Sequence, residues 1–224
     1  MLAADRIHND LEISLSTLLL RNLSNLISII LIPLLIPVYL FCIILFFFPQ
    51  SVNSIELADK FLLLSGVFIS TILLPFLFVF IIYKMKIISS LTLEKREDRL
   101  LPQVFSCICY LIITLFLITK MGITNSLSLV MTANTLSLLV IAIITNFWKI
   151  STHASGAMGF LSITGILFIK YPSHGFMIPF LVIIFLSLSV CIARLYLKAH
   201  TLAQVIGGCI LGTVIGVSVF YFLN

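Results

Sequence analysis

Residues 26–48 read LISIILIPLLIPVYLFCIILFFF, an apolar stretch without a single charged side chain. About 20 apolar residues are enough for one helical crossing of a bilayer. Pro33 and Pro37 predict a kink within it, which helices in a bundle tolerate because their neighbours re-satisfy the freed backbone groups. Working outward, residues 61–83, 101–119, 126–148, 154–169, 175–193 and 202–223 are equally free of charge, the first of these carrying a further proline, Pro75. The whole chain has 224 residues, of which 61% are hydrophobic and only 9% charged, against roughly 25% charged in a soluble domain. Thirteen basic and eight acidic side chains cannot clothe a water-soluble globule of this length. The expectation is an all-α polytopic membrane helix bundle with six to seven transmembrane helices, multi-pass in the cell membrane.

One segment lies ahead of the crossings. Residues 10–21 place Leu11, Leu15, Leu18 and Leu19 at helical spacing among charges, which predicts an interfacial amphipathic helix over residues 1–23 ahead of a single transmembrane domain over 24–224. The same charges predict the absence of a cleavable signal peptide. A net charge of +5 does not point to nucleic acid, because no solvated basic face exists to carry it. All five cysteines fall within apolar runs and read as packing residues rather than a disulfide framework or a zinc site. Gly208, Gly212 and Gly216 recur every four residues, a stripe that lets another helix approach closely and could serve an oligomer.

Seven alternating crossings sort the connections onto two membrane faces. One face collects Arg6, Arg21, Lys84, Lys86, Lys95, Arg96, Arg99, Lys149, Arg194 and Lys198; the other collects Lys60, Lys120 and Lys170. Charges at the edge of an apolar bundle are costly and mark functional candidates. Three clusters share the crowded face: Glu94-Lys95-Arg96-Glu97-Asp98-Arg99 before Pro102, Lys149-Ile150-Ser151-Thr152-His153, and Arg194 through His200 with Gln204 one turn beyond. Guanidinium groups present a planar fork to phosphate oxygens. Histidine serves as nucleophile or proton donor near neutral pH. Pro172-Ser173-His174-Gly175 falls on the opposite face, about 30 Å away, so His174 is set aside, as is His8, which has no partner cluster.

With these residues in place, the chain resembles the type-2 phosphatidic acid phosphatase and vanadium haloperoxidase superfamily. That family's signature runs from a Lys followed seven residues on by Arg-Pro, through Pro-Ser-Gly-His, to Ser-Arg, five residues, His, three residues and Asp. Arg194 and His200 keep the third part's spacing; Ser151 and His153 keep two residues of the second; Arg99 before Leu100-Leu101-Pro102, with Lys95 or Arg96 standing in for the Lys, carries the first. The resemblance implies a cofactor-free and metal-independent phosphoryl transfer from a lipid phosphate. His200 would attack phosphorus to give a phosphohistidine and His153 would protonate the leaving group. Arg194, Arg99, Lys95, Arg96 and Ser151 would hold the phosphate. Gln204 stands where the family pattern has Asp; it can orient His200 through its amide oxygen but supplies no charge.

The implied substrates are phosphatidic acid, phosphatidylglycerol phosphate, a polyprenyl diphosphate or a lipid A phosphate, taken from the surrounding membrane lipids. Gln204 also motivates an alternative, a weak or inactive relative that binds a lipid headgroup or a partner protein. A transporter or channel ranks third, since the mid-helix polar residues are chiefly Ser, Thr and Asn134.

Overall fold

The computed structural model describes residues 2–52, 55–93 and 95–222, with side chains from residue 16 to residue 221 within those stretches. Leu11, Leu15 and His8 lie outside the described side chains. The described residues form nine α-helices joined by short turns and contain no strand. Seven segments are long and apolar enough to cross a membrane: Ser16–Phe47, Leu57–Lys84, Glu97–Met121, Ser126–Thr145, Thr152–Lys170, His174–Tyr196 and Leu202–Tyr221. The protein is therefore an all-α polytopic bundle.

Helix α1 (Leu2–Ile30) continues without interruption through residue 23. It ends where Pro33, which lacks an N–H and fixes its own φ, forces a 3-10 turn over Pro33–Leu35 before α2 (Ile36–Phe47). Pro37 causes no second break, since it sits in the first turn of α2, where no backbone donor is needed. Pro75 is absorbed differently. Helices α3 (Leu57–Phe68) and α4 (Leu74–Lys84) are joined by one π-helical turn, Ile69–Leu73, directly before the proline. Helices α5 (Leu100–Met121), α6 (Ser126–Thr145), α7 (Thr152–Lys170), α8 (Met177–Tyr196) and α9 (Leu202–Phe222) complete the bundle.

Contacts between connections fix the two ends. At one end the Phe48 and Phe176 rings meet edge to face at 4.7 Å, and the Ser126 hydroxyl donates to the Ser51 carbonyl at 3.1 Å. At the other end Ser28 meets His153 and Arg194, and the Ser151 N–H donates to the Gln204 carbonyl at 3.1 Å. The crossing of the first segment thus runs from Ser28 to Phe48. The helix upstream is surplus to it and lies against the end of α8, where the Tyr196 hydroxyl donates to the Thr17 carbonyl at 3.4 Å. His174 opens a short turn next to Phe176, at the end opposite His153.

The packed core is concentrated at the Phe48 end, where Phe41, Phe48, Phe176, Leu127, Leu129 and Met131 are fully buried. Because lipid tails are as apolar as these side chains, such packing coheres through dispersion rather than dehydration; each favourable ring pair adds about 0.5–1.5 kcal/mol. Helices α7 and α9 meet backbone to backbone. A Cβ at Gly208 would overlap the Ser151 carbonyl, and one at Gly212 the Ser155 carbonyl. The glycine stripe is thus occupied within the chain, by the small-residue face of α7. Beside it, the Cys191 and Cys209 sulfurs of α8 and α9 lie 3.7 Å apart.

Candidate functional site

At the Ser28 end the bundle is hollow, with a cavity of about 1560 Å³. The local chemistry of three chain segments explains why histidines and guanidinium groups gather there.

The first segment begins α7. Ser151 adopts an extended conformation and caps the helix, its hydroxyl accepting from the Ala154 N–H at 3.4 Å. That places His153 in the first turn, where its Nε2 donates to the Ser28 carbonyl at 3.2 Å.

The second segment joins α8 to α9. Lys198 takes a left-handed conformation, with φ of 51°. The Lys198 N–H donates to the Leu195 carbonyl at 2.9 Å and the Ala199 N–H to the Arg194 carbonyl at 3.1 Å, the paired bonds of a Schellman reversal. This turn is the physical content of the Arg194-to-His200 spacing. It stops α8 just past Arg194 and returns the chain at His200, so both side chains line one cavity.

Helix α9 opens with a capping box. The Gln204 N–H donates to the Thr201 hydroxyl at 3.4 Å and the Thr201 N–H donates to Gln204 Oε1 at 3.2 Å. Because a backbone N–H can only donate, the atom facing it is the amide oxygen. His200 Nδ1 lies 3.2 Å from that oxygen and 3.3 Å from the Lys149 carbonyl, two acceptors. The hydrogen therefore sits on Nδ1, and Nε2 carries a free lone pair. Burial, and then the charges of Arg99 and Arg194, push His200 down to about 4, against the opposing pull of its bonds to Gln204 and Lys149. At neutral pH it is an unprotonated imidazole.

The third segment leads into α5. Asp98 accepts from the backbone N–H and hydroxyl of Ser89, closing the loop. Arg99 follows in a short 3-10 turn, its Nε donating to the Leu93 carbonyl at 2.7 Å. Glu94 lies outside the described residues.

His153, His200, Arg99 and Arg194 all line the cavity, and both guanidinium charges act on both histidines. Lys95 and Arg96 are exposed and lie outside its lining, and Ser151 is buried in its capping role, also outside it. Arg21, Lys149 and Lys198 line it instead. The sequence carried a trace of this, since Lys149 precedes His153 by four residues and Arg21 precedes Ser28 by seven, two helical turns. No Asp or Glu occurs among the described lining residues. The Arg194 Nε is buried without a hydrogen-bond partner, a donor that calls for an anion. Ile29, Ile32, Phe76, Val79 and Ile141 add apolar side chains to the same lining. Among the described residues no group of three or more His, Cys, Asp or Glu side chains is placed to hold a metal ion.

Residues 143–224 match the family model of the PAP2 superfamily, whose members generally hydrolyse phosphate esters. The match takes in His153, Arg194, His200 and Gln204; Arg99 and the amino-terminal helix lie before it. No curated protein and no solved structure matches the chain.

Proposed function

We propose that this chain, which matches the PAP2 superfamily over residues 143–224, is an integral-membrane phosphatase that removes phosphate from a lipid whose chains stay in the bilayer. The observation that carries the reading is the cavity itself: two histidines and five Lys or Arg side chains line its described wall without a carboxylate, beside apolar side chains such as Ile32, Phe76 and Val79.

The chemistry follows from the residues. Phosphoryl transfer is catalysed chiefly by positioning and by neutralising charge on the equatorial oxygens, the task of Arg99 and Arg194. His200, with Nδ1 bonded to Gln204 and Lys149, presents Nε2 to phosphorus. An Nε2–P bond forms as the bond to the leaving oxygen breaks, and that oxygen takes a proton that His153 has accepted from the phosphate monoanion. Water then attacks the phosphohistidine, the Nε2–P bond breaks, and His153 relays a proton from the water to the inorganic phosphate that leaves.

The deciding experiment measures phosphate release by purified protein in detergent from phosphatidic acid, phosphatidylglycerol phosphate, a polyprenyl diphosphate and a lipid A phosphate, beside His200→Ala. Release by the wild type alone supports the reading; equal release by both proteins overturns it. Gln204, where the family pattern has Asp, favours a second reading, a relative that holds a phosphate headgroup without turning it over. Saturable lipid-phosphate binding with no release, unchanged by Gln204→Asp, is its signature.

A further inference from the structure

The break after α1 determines the fate of that helix's last carbonyls. A helix leaves its final four C=O groups without intrahelical partners. Here the Ile27 carbonyl accepts from the Leu31 N–H at 3.0 Å, the Ile29 carbonyl from the Ile32 N–H at 3.3 Å, and the Ile30 carbonyl from the Tyr39 hydroxyl at 2.9 Å. In an unbroken helix the Ile29 carbonyl would be served by residue 33 and the Ile32 N–H would bond to Ser28. Pro33 has no N–H to give. The last turn tightens, Ile32 moves to Ile29, and the Ser28 carbonyl is released. It accepts instead from His153 Nε2 at 3.2 Å. The Ser28 hydroxyl donates to the Ser24 carbonyl at 2.8 Å, which leaves a lone pair for Arg194 Nη1 at 3.5 Å.

We infer that Ser28 is a positioning residue of the phosphate site, holding His153 by its carbonyl and Arg194 by its hydroxyl, so that the amino-terminal helix is a working part of the site. This inference rests on the phosphatase reading above. With Nε2 engaged by Ser28, Nδ1 is the nitrogen that takes up the proton of an incoming phosphate monoanion and passes it to the leaving oxygen. The neutral imidazole that results keeps its hydrogen on Nε2, in the bond that Ser28 already makes. The proline is thus tied to catalysis through one backbone oxygen, although it touches no substrate.

The test uses the full-length protein in detergent, with short-chain phosphatidic acid as substrate and orthovanadate as a phosphate-shaped probe. Pro33→Ala returns an N–H to position 33 and draws the Ile32 N–H back to Ser28. It is expected to lower kcat by about 10²-fold, the cost of misplacing a catalytic group by an ångström, with KM little changed. Ser28→Ala keeps the carbonyl and loses the hydroxyl. It is expected to raise KM and weaken vanadate binding by about tenfold with kcat nearly unchanged, and Ser28→Thr is expected to restore both. Wild-type kcat in Pro33→Ala together with wild-type vanadate affinity in Ser28→Ala overturns the inference. Nitrogen-15 NMR of labelled histidines, with His153→Gln for assignment, decides it independently of turnover. His153 is expected as the Nε2–H tautomer in the wild type and as a mixture in Pro33→Ala; an identical tautomer in both counts against the role. A wild type that binds vanadate but releases no phosphate defeats the phosphatase reading alone.

Discussion

Gln204 Oε1 accepts at once from the Thr201 N–H and from His200 Nδ1, each at 3.2 Å. One amide oxygen thereby caps α9 and sets the tautomer of His200. A carboxylate at this position would perform both tasks and add a negative charge.

Replacing Gln204 by Ala removes the cap and the tautomer constraint together. In a serine-protease triad a wrong tautomer costs about 10⁴-fold in rate. The Lys149 carbonyl still accepts from Nδ1 here, so the expected loss in kcat is smaller, about 10²-fold. Gln204→Glu retains both hydrogen bonds and is expected to raise kcat. Steady-state phosphate release by the three proteins checks the order Glu, Gln, Ala.

The acid limb of kcat/KM follows from His200. Its folded value is about 4, below the ordinary 6.5, so the reactive unprotonated form persists down to that pH and is lost beneath it. The limb is expected near pH 4 rather than near 6.5. Arg99→Gln removes one of the charges that depress His200 and is expected to move the limb upward; so is Gln204→Glu. The same displacement bears on stability. The unfolded chain binds the His200 proton more readily, so this contribution is complete above 6.5 and is lost as pH falls towards 4. Rate profiles and thermal unfolding across that window test both signs.

The two arginines and the neighbouring basic pair separate by position. Arg194→Lys keeps the charge and loses the fork that reaches two phosphate oxygens. It is expected to weaken inhibition by inorganic phosphate by about tenfold, the worth of one charge-assisted hydrogen bond. Lys95→Ala and Arg96→Ala alter exposed side chains outside the cavity and are expected to leave that inhibition within about twofold. Competitive inhibition constants decide between these expectations.

The α7–α9 contact admits no added atom at Gly212, where a Cβ would overlap the Ser155 carbonyl and crowd the Gly159 nitrogen. Gly212→Ala is expected to destabilise by about 1–3 kcal/mol, the usual cost of overpacking. Gly175→Ala, which meets only the Ser173 hydroxyl at 3.9 Å, is expected to change the thermal midpoint little. Unfolding in the same detergent compares the two.

The seven crossings and the crowded face were legible because charge is so scarce that its placement along the chain is topological information. The Arg194–His200 pairing was legible as spacing, but not the reversal that produces it. Lys198 occupies the left-handed position that usually signals itself as glycine. The stripe at Gly208, Gly212 and Gly216 announces close approach without naming the partner; the small residues of α7, Ala154 to Gly159, were the complementary signal. Ser151 reads as a phosphate ligand in the sequence, whereas in the fold it is buried outside the cavity lining, its hydroxyl oxygen accepting from the Ala154 N–H. Lys95 or Arg96 stands in for the Lys of the family pattern in the sequence, while in the fold both are exposed and lie outside the cavity lining.

The starts of α7 and α9 are locked twice, by glycine backbones in contact and by the Ser151–Gln204 bond between their first turns. The spacing of His153 and His200 therefore behaves as a fixed gauge rather than a jaw. Helix α1 shares that gauge, since Ser28 is bonded to both His153 and Arg194, whereas Arg99 comes from the loop before α5, which is fastened to itself through Asp98 and Leu93.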